Sequence, residues 1–428
     1  MIADHSFFEE RLHENQDRRP GDIRSPYQRD RARIMHSAAF RRLQGKTQVM
    51  GVGEGDFHRT RLTHSIEVAQ IGYGILEVLQ GKQALLPLGV QDWLPNRDLI
   101  EAACLAHDLG HPPFGHKGEQ ALHRAMREHG GFEGNGQTLR ILTRLEKYKA
   151  RGKGIYPTRR LLLSVLKYPC AMDAFDVAQY ASKPPKCYHT EEKPFVEWAL
   201  RGFGESDRAV FQQPEHGKPK HHSLDCSILE LADDIAYGIH DIEDIVARGL
   251  ASKEEVRAEI SRVFDEVGGC IQHKDITFNS DFICSGLLGD SFTRKQMISN
   301  LVNLFITSVE VTVKGGFEHP LLRFNVDLPS AHGELLKRLK GLAYQLIIRK
   351  AKVQQLERRG QMIVETLFET LLSAPKDLIP QGSWDDGVPD ATDERRVCDY
   401  VAGMTDTYAE NLYKRLFQPG FGSSGDEL

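Results

Sequence analysis

The chain has 428 residues, 40% of them hydrophobic, which is enough to bury a sizeable core and to support two or three domains. Its aromatic (8%) and charged (27%) fractions are those of an ordinary globular protein, and no uninterrupted apolar run is long enough to span a bilayer. The formal net charge of −5 argues against a protein coated by nucleic acid. The acidic start Met1–Glu10 lacks the basic-then-apolar form of a secretory signal, so a cytoplasmic, membrane-free location is expected.

The seven cysteines (Cys104, Cys170, Cys187, Cys226, Cys270, Cys284 and Cys398) are odd in number and form no Cys-x-x-Cys pair. That speaks against a disulfide framework and against a zinc ribbon. Cys104 and Cys226 lie on apolar helical faces, where a free thiol acts as a small hydrophobe.

Along the chain, most segments read as helix. Arg18, Arg19, Arg24, Arg29, Arg31, Arg33, Arg41, Arg42 and Lys46 crowd the N-terminal part. They form either a solvated basic face or the lining for a polyanion such as a triphosphate or a nucleic-acid strand. The glycine-rich run Gly51–Asp56 breaks the dinucleotide fingerprint at its last glycine and reads as a loop. Ile66, Ala69, Tyr73, Leu76 and Leu79 recur at three- and four-residue steps, which predicts one face of a helix. A second helix starts near Asn96 or Asp98, both good N-caps, and runs through Leu99, Ile100, Ala103, Cys104 and Ala106. Gly110 is expected to cap its C-terminus, and Pro112-Pro113 forbids continuation. Gly130–Gly134 lacks the Lys-Ser/Thr of a P-loop and reads as a second loop.

Further on, Ser182 to Ser223 reads as loops with one short helix near Phe195–Leu200. Leu224 to Ala247 reads as a helix with Ile228, Leu231, Ile235, Ile239, Ile242 and Val246 as its buried stripe. Asp233, Tyr237 and Asp241 fall at i, i+4 and i+8 along a different face of it. A strand pair is predicted at Ser308–Val313 and Leu321–Val326, joined through Lys314-Gly315-Gly316. Long helices return from Gly333 to Leu372, Pro380–Pro389 is a turn-rich linker, and the tail after Pro419 is expected to be disordered.

One stretch is chemically out of place. His107 and Asp108 sit side by side at the end of the apolar run Ala103–Leu109. Two ionisable groups buried there without partners cost several kcal/mol, and a metal ion is the usual partner that makes such a pair worth keeping. An aspartate in the last turn of a helix also faces the negative end of its dipole, a conflict that a divalent cation relieves. His64 upstream and Asp233 downstream are candidates to complete the site. Arg61, three residues before His64, shares its helical side. His216, His221 and His222 also cluster, but in a polar Pro/Lys/Gly segment without carboxylates at helical spacing, and read as a surface loop.

The pieces Phe40–Leu43, Lys46–Val49, Arg59–Ser65, His107–His116, Gly131–Asn135 and Asp399–Asp406, in that order, resemble those of the bacterial dGTP triphosphohydrolases of the HD superfamily. The resemblance runs from about Arg24 to about Leu416. It implies an all-α, HD-domain helical fold with a small β-hairpin and an additional C-terminal helical region. The expected organisation is a basic helical segment over 1–58, the HD phosphohydrolase domain over 59–250, and a C-terminal helical region with a short hairpin over 251–428.

The same resemblance implies hydrolysis of a deoxynucleoside triphosphate, dGTP favoured, at its α-phosphorus, releasing deoxynucleoside and tripolyphosphate. One divalent ion is expected on His64, His107, Asp108 and Asp233, with Asp233 preferred to Asp234 because it keeps the family's register with Tyr237 and Asp241. Mn²⁺ or Mg²⁺ is the usual ion, and mixed nitrogen and oxygen ligation also suits Fe²⁺, Co²⁺ or Ni²⁺. His116 and Glu119, at i and i+3, would form the dyad that positions or deprotonates water or protonates the leaving oxygen, with His111 at a phosphate. Lys167 would meet the triphosphate, Tyr237 the deoxyribose, and Asp241 and Gln48 its 3′-hydroxyl; Asn135, in an ordinary turn sequence, is a further substrate candidate. The family also implies a homo-oligomer, a hexamer for choice, and a dNTP effector; a single nucleic-acid strand is a further partner to consider. The alternatives are an HD-type nucleotidase or phosphodiesterase, and a non-catalytic nucleotide- or single-strand-DNA-binding regulator.

Overall fold

The computed structural model describes residues 4–12, 21–48, 59–148, 154–180, 182–385, 388 and 390–423. The Gly51–Asp56 loop, Arg18, Arg19 and the last five residues of the tail lie outside them. The architecture is all-α, with three small two-stranded antiparallel sheets among the described residues. No helix among them is long and apolar enough to cross a membrane. All seven cysteines are free thiols, and only Cys270 is exposed.

Three helices build the frame of the site. Arg61–Gly81 starts at a capping box in which the Thr60 hydroxyl accepts from the Thr63 amide and Thr63 answers to the Thr60 amide. Its buried stripe runs through His64, Val68, Ile71, Ile75 and Leu79, with Leu76 beside it. Ile66 is 51% exposed, so the face predicted through Ile66 and Tyr73 is turned from the true one. The physical reason is that the core-facing stripe begins with polar residues, His64 and Ser65, which an apolar pattern skips.

Arg97–Ala106 starts on the Asn96 side chain, which accepts from the Leu99 amide. It ends at Ala106, with His107 as C-cap and Asp108 in the following turn rather than inside the last helical turn. Gly110 is not a left-handed cap. The Thr138 hydroxyl closes this turn instead, accepting from the Gly110 amide at 3.0 Å and donating to the His107 carbonyl at 3.2 Å. Gly110 is needed for close approach: a Cβ there would stand 2.1 Å from the Gly134 carbonyl oxygen and 2.2 Å from the Thr138 nitrogen.

Leu224–Ala247 has the predicted bounds, with Ser223 as its N-cap. Ile228, Ile235, Ile239 and Ile242 are buried, and the helix packs against both 61–81 and 97–106 as well as against Ser330–Ala343. The main core gathers these helices with Phe8, Tyr27 and Ile34 near the N-terminus and with Phe305, Leu322 and Leu339 further on. A second core joins Ala121, Leu122 and Phe132 to Val364, Leu367, Val397 and Val401. The turn 107–114 and the helix Gly115–Ala125 run from the first core into the second.

Other elements depart from expectation. The predicted strand pair is Glu310–Val313 with Phe324–Asp327, Val311 opposite Val326. Its second strand starts late because Pro320–Arg323 forms a helical turn, capped by His319. Hairpins at 214–219 and 270–279 and a helix Glu205–Phe211 were not expected. The 333–372 helical stretch is broken by a π-helical turn, Tyr344–Ile348, and the 380–389 linker contains the short helix Gln381–Asp385. The basic residues near the N-terminus do not share one face: Arg31 pairs with Asp98 at 3.1 Å, Arg33 donates to the Ile155 carbonyl, Lys46 is buried, and Arg41 and Arg42 are exposed.

Replacing Gly110 by Ala is therefore expected to destabilise the fold by about 3 kcal/mol or more through overpacking of the turn. Gly341, in the interior of Ser330–Ala343 with nothing within 4 Å of an added Cβ, behaves oppositely: Gly341→Ala should gain roughly 0.5–1 kcal/mol. Denaturant melts of the two variants check both signs.

Candidate metal centre

The His107 ring is oriented by its own helix. Its Nδ1 lies 2.6 Å from the Cys104 carbonyl oxygen, which requires a proton on Nδ1 and leaves the Nε2 lone pair free. That Nε2 is buried and makes no hydrogen bond among the described residues. It lies 3.5 Å from Asp108 Oδ1 and 3.7 Å from Asp233 Oδ1. His64 Nε2 is 3.0 Å from the same Asp233 oxygen. The candidate ligand atoms of His64, His107 and Asp108 all lie within 4.8 Å of one another. Ligand atoms about 2.0–2.2 Å from a common ion stand roughly 3–4.4 Å apart, so the pairs at 3.0, 3.5 and 3.7 Å fit one cation. Asp234, the neighbour of Asp233, points away and pairs with Lys340.

The carboxylates are kept ionised against their burial. Burial opposes charge on Asp108, but His111, His107 and Arg61 outweigh it and hold the carboxyl well below the usual range. Arg61 donates to Asp108 Oδ2 at 2.7 Å, and His111 Nδ1 lies 3.0 Å from Oδ1. For Asp233, burial is likewise overcome by His107, the His64 hydrogen bond and Lys167, whose Nζ is 3.8 Å from Oδ2. His111 is pulled down to about 4 by burial first and then by Arg61, while Asp108 acts in the opposite direction.

Beyond the turn, Gly115–Ala125 carries His116 and Glu119. His116 is 70% exposed and its Nδ1 is 3.5 Å from Glu119 Oε2. Glu119 is buried, accepts from the Gly134 amide at 2.8 Å, and stands 3.8 Å from Lys186 Nζ. Burial raises its pKa, but Lys186 and His116 reverse this and hold it well below the usual range. The His111 and His116 rings are 5.8 Å apart, so His111 bridges the space between the metal cluster and the His116/Glu119 pair.

Among the expected substrate groups, Lys167 pairs with Glu230 at 2.5 Å as well as approaching Asp233. Asn135 donates to Glu133 Oε1 at 2.8 Å and so belongs to the start of the Gly134–Arg140 helix. Gln48 Oε1 and Asp241 Oδ2 are buried without hydrogen-bond partners among the described residues. Tyr237 is half-buried one turn beyond Asp233. Sequence reasoning missed Lys186, which ties Glu133 (2.7 Å) to Glu119, and Tyr168, whose ring lies under both Lys167 and Lys186. Lys186 comes from an aperiodic Pro/Lys-rich segment that carries no signal. The histidines 216, 221 and 222 assemble no metal cluster among the described residues.

Residues 61–155 match the HD domain family, and residues 326–415 match the phosphohydrolase-associated domain. Fold and site thus define an HD-domain phosphohydrolase, a class whose domain binds a divalent metal. The chain is 44% identical to a deoxyguanosinetriphosphate triphosphohydrolase-like protein of Shewanella pealeana, over 97% of each chain. It is 44% identical to one of Shewanella woodyi, over 99% of this chain and 98% of that one, and 42% identical to one of Shewanella baltica, over 98% of each. The chain belongs to the deoxyguanosinetriphosphate triphosphohydrolase-like family.

Asp241 gives the site a pH signature. Burial pushes its carboxyl up to about 7; His64 and Arg59 oppose this, and Asp244 and Asp233 add to it. The folded chain therefore keeps a proton that the unfolded chain releases above its ordinary value of 3.8. Stability on this account falls as pH rises through that window and levels off above about 7. In metal-free protein, Asp241→Asn should melt a few degrees above the parent at pH 8, with the advantage shrinking as pH falls towards 4. Paired thermal melts across that range check it; an advantage that grows on acidification contradicts the assignment.

Proposed function

We propose that the chain hydrolyses deoxynucleoside triphosphates, with dGTP as the favoured substrate, to deoxynucleoside and tripolyphosphate. The reading rests on one observation: ligand atoms of His64, His107 and Asp108 lie within 4.8 Å of one another, and Asp233 Oδ1 stands 3.0 and 3.7 Å from the two imidazoles. These four side chains are the proposed holders of a divalent cation, Mn²⁺ or Mg²⁺. The donor set fits such an ion, since His107 Nε2 is buried without a partner among the described residues and both carboxylates are held ionised. When bound, the cation supplies Lewis acidity towards a phosphoryl oxygen.

The chain's own residues do the rest. Arg61 and Lys167 place positive charge beside the ligands, where they offset the charge of the polyphosphate. His111, beside Asp108 and between the ligands and His116, stands where it can meet a phosphate oxygen. Glu119, fixed by the Gly134 amide, orients His116 through Nδ1 and leaves the exposed Nε2 edge to exchange a proton with the reacting groups. In the overall step a water oxygen bonds to the α-phosphorus, the bond to the 5′ oxygen breaks, and the proton ends on that oxygen. Gln48 Oε1 and Asp241 Oδ2, as unpaired buried acceptors, suit the sugar 3′-hydroxyl, and Tyr237 suits the ring beside it.

Incubation of pure protein with Mn²⁺ and each of four dNTPs and four NTPs, singly and in pairs, should yield deoxynucleoside and tripolyphosphate in equal amounts from the dNTPs, dGTP foremost, and leave the NTPs intact. Orthophosphate or a nucleoside monophosphate as product would move the reading to a nucleotidase or phosphodiesterase. Glu119→Gln should keep its metal content by elemental analysis while kcat drops about 100-fold or more. Loss of metal in that variant contradicts the role given to Glu119.

A further inference from the structure

Two stretches of the family resemblance take no part in the chemistry above: Lys46-Thr47 and the C-terminal run ending at Asp406. They are far apart in sequence, yet they meet at the active-site turn. Lys46, 2% exposed, donates to the His111 carbonyl at 2.6 Å and to the Ala402 carbonyl at 2.9 Å. Asp406, 5% exposed, is the first residue of the helix Asp406–Phe417. One of its oxygens accepts from the Phe114 amide at 3.0 Å. The other accepts from the Thr47 amide at 3.0 Å and from the Thr47 hydroxyl.

The two amides lead to opposite sides of the site. Thr47 is bridged to Thr60, the cap of the helix that carries Arg61 and His64. Phe114 immediately precedes the helix that carries His116 and Glu119. Phe114 and Gly115 are both left-handed, with φ of 61° and 58°, and Phe114 lends no side-chain hydrogen bond to the helix start. A phenylalanine holds that conformation only when its surroundings impose it. Here the impositions are the Asp406 hydrogen bond and the Ala351–Ser373 helix, whose Gly360 has room for no Cβ beside the Phe114 ring (2.7 Å).

We propose that Asp406 is a positioning residue for catalysis: one carboxylate fixes the Phe114–Gly115 kink to the Thr47 segment and so sets the His116/Glu119 pair in register with Arg61 and His64. This rests on the proposed hydrolytic role of those residues. Asp406 touches neither the ligand cluster nor the substrate groups, so its loss acts on alignment. A displacement of about 1 Å in reacting groups costs up to about 100-fold in rate.

The test is Asp406→Asn, which keeps the size but offers a single acceptor oxygen to two backbone amides. Expected are a fall in kcat of at least about ten-fold, KM and metal affinity within about two-fold of the parent, and faster amide exchange at Phe114 or Thr47 with none in the Lys253–Glu266 helix, which packs on Ser280–Leu287 and Ser330–Ala343. Unchanged kcat overturns the proposal. So does a loss of kcat matched by loss of metal affinity and by faster exchange throughout, which is the mark of a merely structural residue. Should the variant fail to fold, the parent alone decides: its Phe114 amide must exchange far more slowly than a free amide, and exchange at the free rate removes the clamp. The kinetic split is read on whichever phosphoester the parent cleaves, so failure to cleave dNTPs would sink the proposed function without deciding this one, and exchange at Phe114 judges the clamp even if no substrate is found.

Discussion

The structure turns on the convergence of two imidazoles and the Asp108 carboxylate in one small buried volume, with the half-buried Asp233 carboxylate against both imidazoles. Each of these groups is costly there alone, and none is an ordinary core residue. The Cys104 carbonyl fixes the tautomer of His107 and aims its lone pair, Asp233 lies between both imidazoles, and Asp108 closes the group from the turn. Two helix ends and one helix middle must therefore be in register at once: the start of 61–81, the end of 97–106 and the middle of 224–247. The packing of those helices on one another, with Gly110 pressed on the 134–140 backbone, provides that register.

Around this point the charges are layered. Asp108 answers to Arg61 and His111, and Asp233 to Lys167, so the anionic ligands are already compensated from their outer sides. Glu119 belongs to a separate set with Lys186, Glu133 and the Gly134 amide. On the proposed reading, metal holding and proton handling fall to different residues, with the His111 ring 5.8 Å from that of His116.

Much of this was legible in the sequence where a residue contradicts its surroundings. His107 and Asp108 stand out because they interrupt an apolar run, and Leu224–Ala247 because its serine cap and isoleucine stripe agree. Legibility fails where a polar residue belongs to the core. The buried face of 61–81 opens with His64 and Ser65, so an apolar count misplaces it. It fails again where a turn is closed by a distant hydroxyl: Thr138 does at Gly110 what a left-handed cap was expected to do. Lys186 reaches Glu119 from a segment without periodicity, and nothing local marks it. The Asp406 contacts join residues more than 290 positions apart, a distance over which one sequence carries no pairing signal.

The most direct measurement is anomalous diffraction from a crystal grown with Mn²⁺, recorded on both sides of the manganese edge. The account predicts a single peak per chain within about 2.0–2.4 Å of His64 Nε2, His107 Nε2, an Asp108 oxygen and Asp233 Oδ1. A peak that leaves His64 or Asp233 outside its coordination sphere, or that takes Asp234 in place of Asp233, would contradict it.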